Sequence, residues 1–233
     1  MSMVQVCAHR GVCYAHQENT LNAFSAAIDH NADSIELDVW LSKDNKFVVH
    51  HDKTCNGTDI ESESASELPS FVPALQEVFS ICETMPLNIE LKMSTITESD
   101  RLADELLQVL SHVKNKSTSI NPLISSFDLS VLQNLRQRSD EIRLGYLSNQ
   151  QNWETTHLFE TLERYNFQAI HPHYSLISRE FMKKARERKL DVNVWTVNER
   201  SIAVDLMGYG VDSIITDDVQ MVKEVADSYS SQV

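Results

Sequence analysis

Residues 33–52, DSIELDVWLSKDNKFVVHHD, place two carboxylates and two imidazoles on what alternating apolar residues mark as a pair of strands. In an extended chain successive side chains point to opposite faces, so Glu36 and Asp38 project together while Ile35, Leu37 and Val39 pack the other way. An amphipathic surface strand would alternate in the same manner, and the segment by itself does not separate the two readings. Its continuation does. Ser42, Lys43, Asp44 and Asn45 form a turn signal, because Asp and Asn tolerate positive φ, and the apolar run that follows leads into His50, His51 and Asp52. The turn returns the histidines toward the carboxylates. In a regular strand His50 and His51 face opposite sides, so one of the two, read as His51, serves the common site.

Outward from this stretch the chain repeats one unit. Strand 4–8 is followed by a helix with Asn19 or Thr20 as N-cap and Leu21, Phe24, Ala27 and Ile28 on one face; Asn31 ends it in the left-handed conformation. Residues 53–66, KTCNGTDIESESAS, read as a polar loop excursion before a helix at about 73–83. Strands are then expected at 87–91, 122–126, 142–147, 168–171, 192–196 and 213–216, and helices at 98–113, 129–138, 154–165, 178–189, 199–207 and from 219 onward. Eight strands alternating with eight helices, in a chain near the ~250 residues usual for that fold, predict a closed (β/α)8 TIM barrel, with an open doubly wound sheet as the alternative. No G-x-G-x-x-G or P-loop follows a strand and glycines number 5, which gives a nucleotide-binding reading no support.

The 233 residues, 42% hydrophobic, suffice for one sizeable core, and 1–233 is read as a single domain. Lys and Arg number 20 against 34 Asp and Glu; the net charge of −14 opposes binding to nucleic acid or to anionic membranes and favours a small-molecule substrate. Cys7, Cys13, Cys55 and Cys82 show neither disulfide-framework nor zinc-site spacing and read as reduced thiols. With no leader pattern at the N-terminus and no apolar run near ~20 residues, the expectation is a cytoplasmic protein without stable membrane association.

In (β/α)8 barrels, active-site groups sit where strands end. Here strand one ends in His9 and Arg10, strand two in Glu36 and Asp38 with His51 returning, strand three in Glu90 and Lys92, strand six in His171 and His173, and strand seven in Trp195. Glu36, Asp38 and Glu90 offer only hard oxygen donors, which suit Mg²⁺ or Ca²⁺ and argue against zinc. The alternative is a salt-bridge network with Arg10 and Lys92. These two cations beside a carboxylate-bound metal would hold a phosphoryl group, which implies a phosphate ester, and the imidazoles of His9 and His51 can pass protons to a leaving alcohol and from a nucleophile. His171 and His173 share a face and are open between pocket and structural roles, as Trp195 is between core and pocket wall; His16, His30, His112 and His157 read as solvated.

At these residues the chain resembles the glycerophosphodiester phosphodiesterase family, in its short bacterial-type form. The motifs are A-H-R-G (8–11), E-N-T (18–20), I-E-L-D-V (35–39), V-V-H-H-D (48–52), I-E-L-K (89–92), S-S-F-D (125–128), V-W-T-V-N (194–198) and G-V-D-S-I-I-T-D (210–217). The resemblance implies a TIM barrel that hydrolyses glycerophosphodiesters to sn-glycerol 3-phosphate and an alcohol. It also implies His9 and His51 as acid/base pair with Asp52 orienting His51, a divalent cation on Glu36, Asp38 and Glu90, and Arg10 and Lys92 on the phosphate. Gln17, Asn31, Asn45 and Val219 stand where the family usually has Pro, Gly, Gly and Pro, and none of these departures removes a chemical group. Competing expectations are a phospholipase-type barrel that stops at a cyclic phosphate and a non-catalytic phosphodiester-binding barrel.

Overall fold

The structure is a computed structural model that describes residues 4–95, 99–116, 121–150 and 157–231. Among these, the barrel strands in chain order are β1 (Gln5–His9), β2 (Ser34–Leu41), β3 (Leu87–Leu91), β4 (Leu123–Ser126), β5 (Arg143–Ser148), β6 (Ala169–Pro172), β7 (Asp191–Val194) and β8 (Ser213–Thr216). The helices are α1 (Leu21–Asp29), α2 (Leu75–Ile81), α3 (Ser99–Lys116), α4 (Leu129–Arg138), α5 (Leu158–Arg164), α6 (Arg179–Glu187), α7 (Arg200–Tyr209) and α8 (Val219–Ser230). Neighbouring strands pair in parallel, and β1 pairs with both β2 and β8. The sheet therefore has no open parallel edge, and the doubly wound alternative is excluded.

Closure explains why β2 is buried along almost its whole length. Ile35, Leu37 and Val39 join Phe24 and Ala27 of α1 in the main core, while Glu36 and Asp38 face the barrel axis. Strand register lines the inward groups up in rows: Glu36 lies level with His9 and Asn88, and Asp38 level with Glu90, itself level with Ser125. The short strand Phe47–Val49 returns antiparallel to β2 through the expected turn, in which Asn45 takes φ 61° and its N–H donates to the Ser42 carbonyl at 3.1 Å.

Several expected boundaries move for identifiable reasons. Thr20, not Asn19, caps α1: its side chain accepts the Ala23 N–H at 3.3 Å, while Asn19 turns inward with φ 57°. Asn31 takes the left-handed conformation, φ 57°. Helix α2 starts at Leu75 because Pro73 and Ala74 are still engaged with the return strand through Val49 N–H to Pro73 O, 2.9 Å, and the bridge Val48–Ala74. Strand β7 stops at Val194, and Trp195 keeps a single bridge to His173. Helix α7 runs on to Tyr209 and ends at Gly210, φ 75°. The helix starts expected at 98 and 154 lie outside the described residues.

Residues 53–66 are not a bare loop. They form a two-stranded ribbon, Thr54–Cys55 with Thr58–Asp59, and two 3-10 turns, Ile60–Ser62 and Ala65–Glu67. Cys55 and Ile60 seat this cap on a satellite core with Trp40, Val48, Leu68 and Val72. Two apolar residues in a polar run carry no periodicity, so this packing was invisible before folding.

Candidate active site at the C-terminal mouth

The A-H-R-G segment leaves β1 with a sharp bend. Arg10 sits at φ 57° and Gly11 at φ 85°, and a Cβ on Gly11 would lie 2.7 Å from the Ala23 carbonyl, so glycine lets this loop press onto α1. The bend aims the Arg10 backbone N–H at Glu36, to the carbonyl at 3.0 Å and to Oε2 at 3.1 Å. The Arg10 guanidinium donates to Glu18 Oε1 at 2.9 Å and holds its Nε 3.3 Å from Asp38 Oδ2.

Glu36, Asp38 and Glu90 each present an oxygen within 4.8 Å of the others, and all three are buried. Lys92 Nζ reaches Glu90 Oε1 at 2.6 Å and Asp38 Oδ1 at 3.0 Å. The salt-bridge network weighed from sequence is thus present, yet it is incomplete: three carboxylates face two cations. Burial raises the Asp38 carboxyl, but Lys92, Arg10 and an Asn19 hydrogen bond outweigh it and hold that group below its usual range. Burial, aided by the Asp38 and Glu90 charges, pushes Glu36 well above its usual range; burial and the Asp38 charge push Glu90 up to about 7 against the pull of Lys92. A buried set of oxygen donors that repel one another fits a divalent cation.

Above this floor, a cavity of about 230 Å³ is lined by His9, Arg10, Glu36, His51, Glu90, Lys92 and Trp195 among others. Seven of the eight residues expected at the site therefore converge on one cavity. The eighth, Asp38, lies just behind the wall at 1% exposure, gripped by Asn19 Nδ2 at 2.8 Å. His9 Nδ1 lies 2.7 Å from Asp217 Oδ1, and His51 Nδ1 lies 2.8 Å from Asp52 Oδ1. His51 is half-buried, and burial is the first cause that lowers its pKa. Trp195 donates from Nε1 to the His171 carbonyl at 2.7 Å and packs edge-on to Phe127 at 5.4 Å, which makes an aromatic wall.

The remaining histidines sort by geometry. His50 bonds the Asp52 carbonyl at 2.8 Å and does not line the cavity. His171 is fully buried deeper in the barrel, where burial pushes its pKa down to about 3, and it fits over Gly145, whose added Cβ would meet its Nε2 at 2.5 Å. His173 caps the 3-10 turn Tyr174–Leu176. Neither lines the cavity. Two residues go beyond the sequence reading: Asn19, which sequence offers as a helix cap and as part of the E-N-T motif, and Asp217, which stands in a motif without a role there. The signal for Asp217 was its place one residue beyond β8; its neighbour Asp218 caps α8 instead.

Fold and mouth together define a TIM-barrel protein with a candidate active site at the C-terminal ends of its strands. The profile of the Glycerophosphoryl diester phosphodiesterase family matches residues 9–59 and 53–221. The chain is 30% identical over 234 residues, covering 91% of it and 93% of the relative, to a glycerophosphodiester phosphodiesterase of Caldanaerobacter subterraneus subsp. tengcongensis. Among solved structures it resembles the Thermotoga maritima glycerophosphodiester phosphodiesterase, TM-score 0.79 at 30% identity, over 97% of this chain and 99% of that one. An Oleispira antarctica phosphodiesterase in complex with its product sn-glycerol-3-phosphate shares the fold, TM-score 0.84 at 24% identity, with 97% of each chain covered. The chain belongs to the glycerophosphodiester phosphodiesterase family, and it is an enzyme of that kind.

Proposed function

We propose that the protein hydrolyses glycerophosphodiesters to sn-glycerol 3-phosphate and an alcohol with the help of a divalent cation, Mg²⁺ or Ca²⁺. The observation that carries this reading is the buried trio Glu36, Asp38 and Glu90 beneath a cavity that two histidines line. The product bound to the Oleispira phosphodiesterase supports the substrate class. The three carboxylates would hold the cation, which when bound supplies Lewis-acid stabilisation of charge on a phosphoryl oxygen. Arg10 and Lys92 hold the phosphate, Arg10 through a guanidinium that can grip two oxygens. Of His9 and His51, one takes the proton from the nucleophile and the other gives a proton to the leaving alcohol. Trp195 forms a wall for the glycerol end.

The whole chain serves as one catalytic domain in this reading, acting in the cytoplasm on water-soluble diesters without stable membrane association. The net charge of −14 supports it, and no helix among the described residues is long and apolar enough to cross a membrane. Release of sn-glycerol 3-phosphate from glycerophosphocholine, with and without excess EDTA, tests the proposal. Turnover that stops with chelator and returns with Mg²⁺ or Ca²⁺ is expected; undiminished turnover in EDTA would overturn the metal assignment.

A further inference from the structure

We propose that Asp217 and Asn198 are positioning residues for hydrolysis, holding His9 in one orientation and one tautomer, with Nδ1 protonated and Nε2 presented to the reacting ester. The inference rests on the reading of His9 as an acid/base group and extends it to two residues from neighbouring loops. Asn198 follows β7 and Asp217 follows β8, and β8 pairs with β1, which ends in His9. Barrel closure is what brings the three together.

The direction of every bond follows from one unambiguous donor. The Asp217 backbone N–H can only donate, and it donates to Asn198 Oδ1 at 3.0 Å. Thr216 Oγ1 donates to the same oxygen at 3.2 Å. The Asn198 amide is thereby fixed with Oδ1 toward β8, and its Nδ2 donates to Asp217 Oδ2 at 2.6 Å. One carboxylate oxygen of Asp217 is now occupied, and the other, Oδ1, lies 2.7 Å from His9 Nδ1. An ionised carboxylate accepts only, so the proton sits on His9 Nδ1 and leaves Nε2 as the exchanging atom. Although burial opposes ionisation of Asp217, the His9 contact outweighs it and keeps the group below its usual range.

His51 lacks such an anchor. Its partner Asp52 is 73% exposed, and among the described residues the Asp52 carboxylate takes no other side-chain hydrogen bond than that of His51. The two imidazoles are therefore held unequally, and the His9 side is the prearranged one.

The test compares wild-type, Asp217→Asn and Asn198→Ala, each as the full chain with excess Mg²⁺ and glycerophosphocholine, alongside nitrogen-15 spectra of the His9 ring. In Asp217→Asn one amide N–H₂ must face either the Asn198 N–H₂ or His9 Nδ1, and the second arrangement moves the imidazole proton to Nε2. Expected are a fall in kcat of ~10²–10⁴ for Asp217→Asn with KM little changed, a smaller loss in the same direction for Asn198→Ala, and a switch of the His9 tautomer. Calorimetric Mg²⁺ affinity and melting temperature should stay near wild-type. Unchanged kcat in Asp217→Asn, an Nε2-protonated His9 in the wild type, or losses that track metal affinity or melting would each overturn the inference. A wild type that fails to turn over counts against the phosphodiesterase reading instead, and the nitrogen spectra still decide the tautomer.

Discussion

His50 and His51 are adjacent, identical in chemistry and opposite in fate. His51 lines the cavity beside Lys92, while His50 turns back onto the Asp52 carbonyl. Replacing His51 or His9 with alanine should lower kcat by ~10²–10⁴, and the same change at His50 should cost far less. Steady-state assays of the three variants check this; equal losses at 50 and 51 would place the return strand one residue out of register. Asn19 carries a second lesson at this scale. Its side chain bonds the Asp38 carboxylate and, through Oδ1 at 3.2 Å, the Asp38 N–H, so a residue that looked like a helix cap orients a metal-ligand candidate from behind.

Among the elements, the β1–α1 connection is the most tightly constrained. Gly11 combines a left-handed φ of 85° with a Cβ position 2.7 Å from Ala23 backbone atoms. An alanine there meets about 1–2 kcal/mol of conformational cost and about 1–3 kcal/mol of overpacking. Gly11→Ala should therefore lower the denaturation free energy by a few kcal/mol and shift His9 and Arg10, with kcat falling as well; a chemical denaturation curve that matches wild-type would contradict the close packing. By contrast Gly57, also at positive φ, has nothing within 4 Å of its would-be Cβ, and packing places no demand on it. The cap at residues 53–66 and strand β2 show the two extremes of legibility. Alternation made β2 readable residue by residue, whereas the cap's contacts reach to Trp40, Leu68 and Val72 and exist only after the chain folds back.

At the scale of the whole molecule, the metal role proposed for the carboxylate trio would couple stability to metal and pH. Glu90 moves from 4.5 unfolded to about 7 folded, so its contribution is full below pH 4.5 and is lost as pH rises toward about 7; Glu36 acts in the same direction. His171, lowered from 6.5 to about 3, has the opposite sign over the range between those values. The histidine contribution is common to metal-free and metal-loaded protein, so the difference in melting temperature between Mg²⁺ and EDTA should widen from pH 5 to pH 7.5. Glu90→Gln should shrink that widening, and a flat difference in wild type would deny the trio its role. Size and charge give the other molecular prediction. A cavity of about 230 Å³ in a protein of net charge −14 should favour glycerophosphocholine over liposome-bound lysophosphatidylcholine in kcat/KM. A preference for the liposomal substrate would overturn the reading of a mouth open to small diesters.

The amino-acid sequence alone determined the repeating strand–helix order, the two-carboxylate face of β2, and the polar groups at strand ends that make up most of the mouth. Those features are local: periods of 2 and 3.6 and turn chemistry at Asn45 and Asn31 act over a few residues and leave a trace in composition. Only the tertiary structure decided that Asp217 meets His9 across 208 positions of chain, that Asn19 supports Asp38, and that His171 sinks into the core and not the mouth. Barrel closure sets which rows of side chains share a level, and that register has no period along the chain to read.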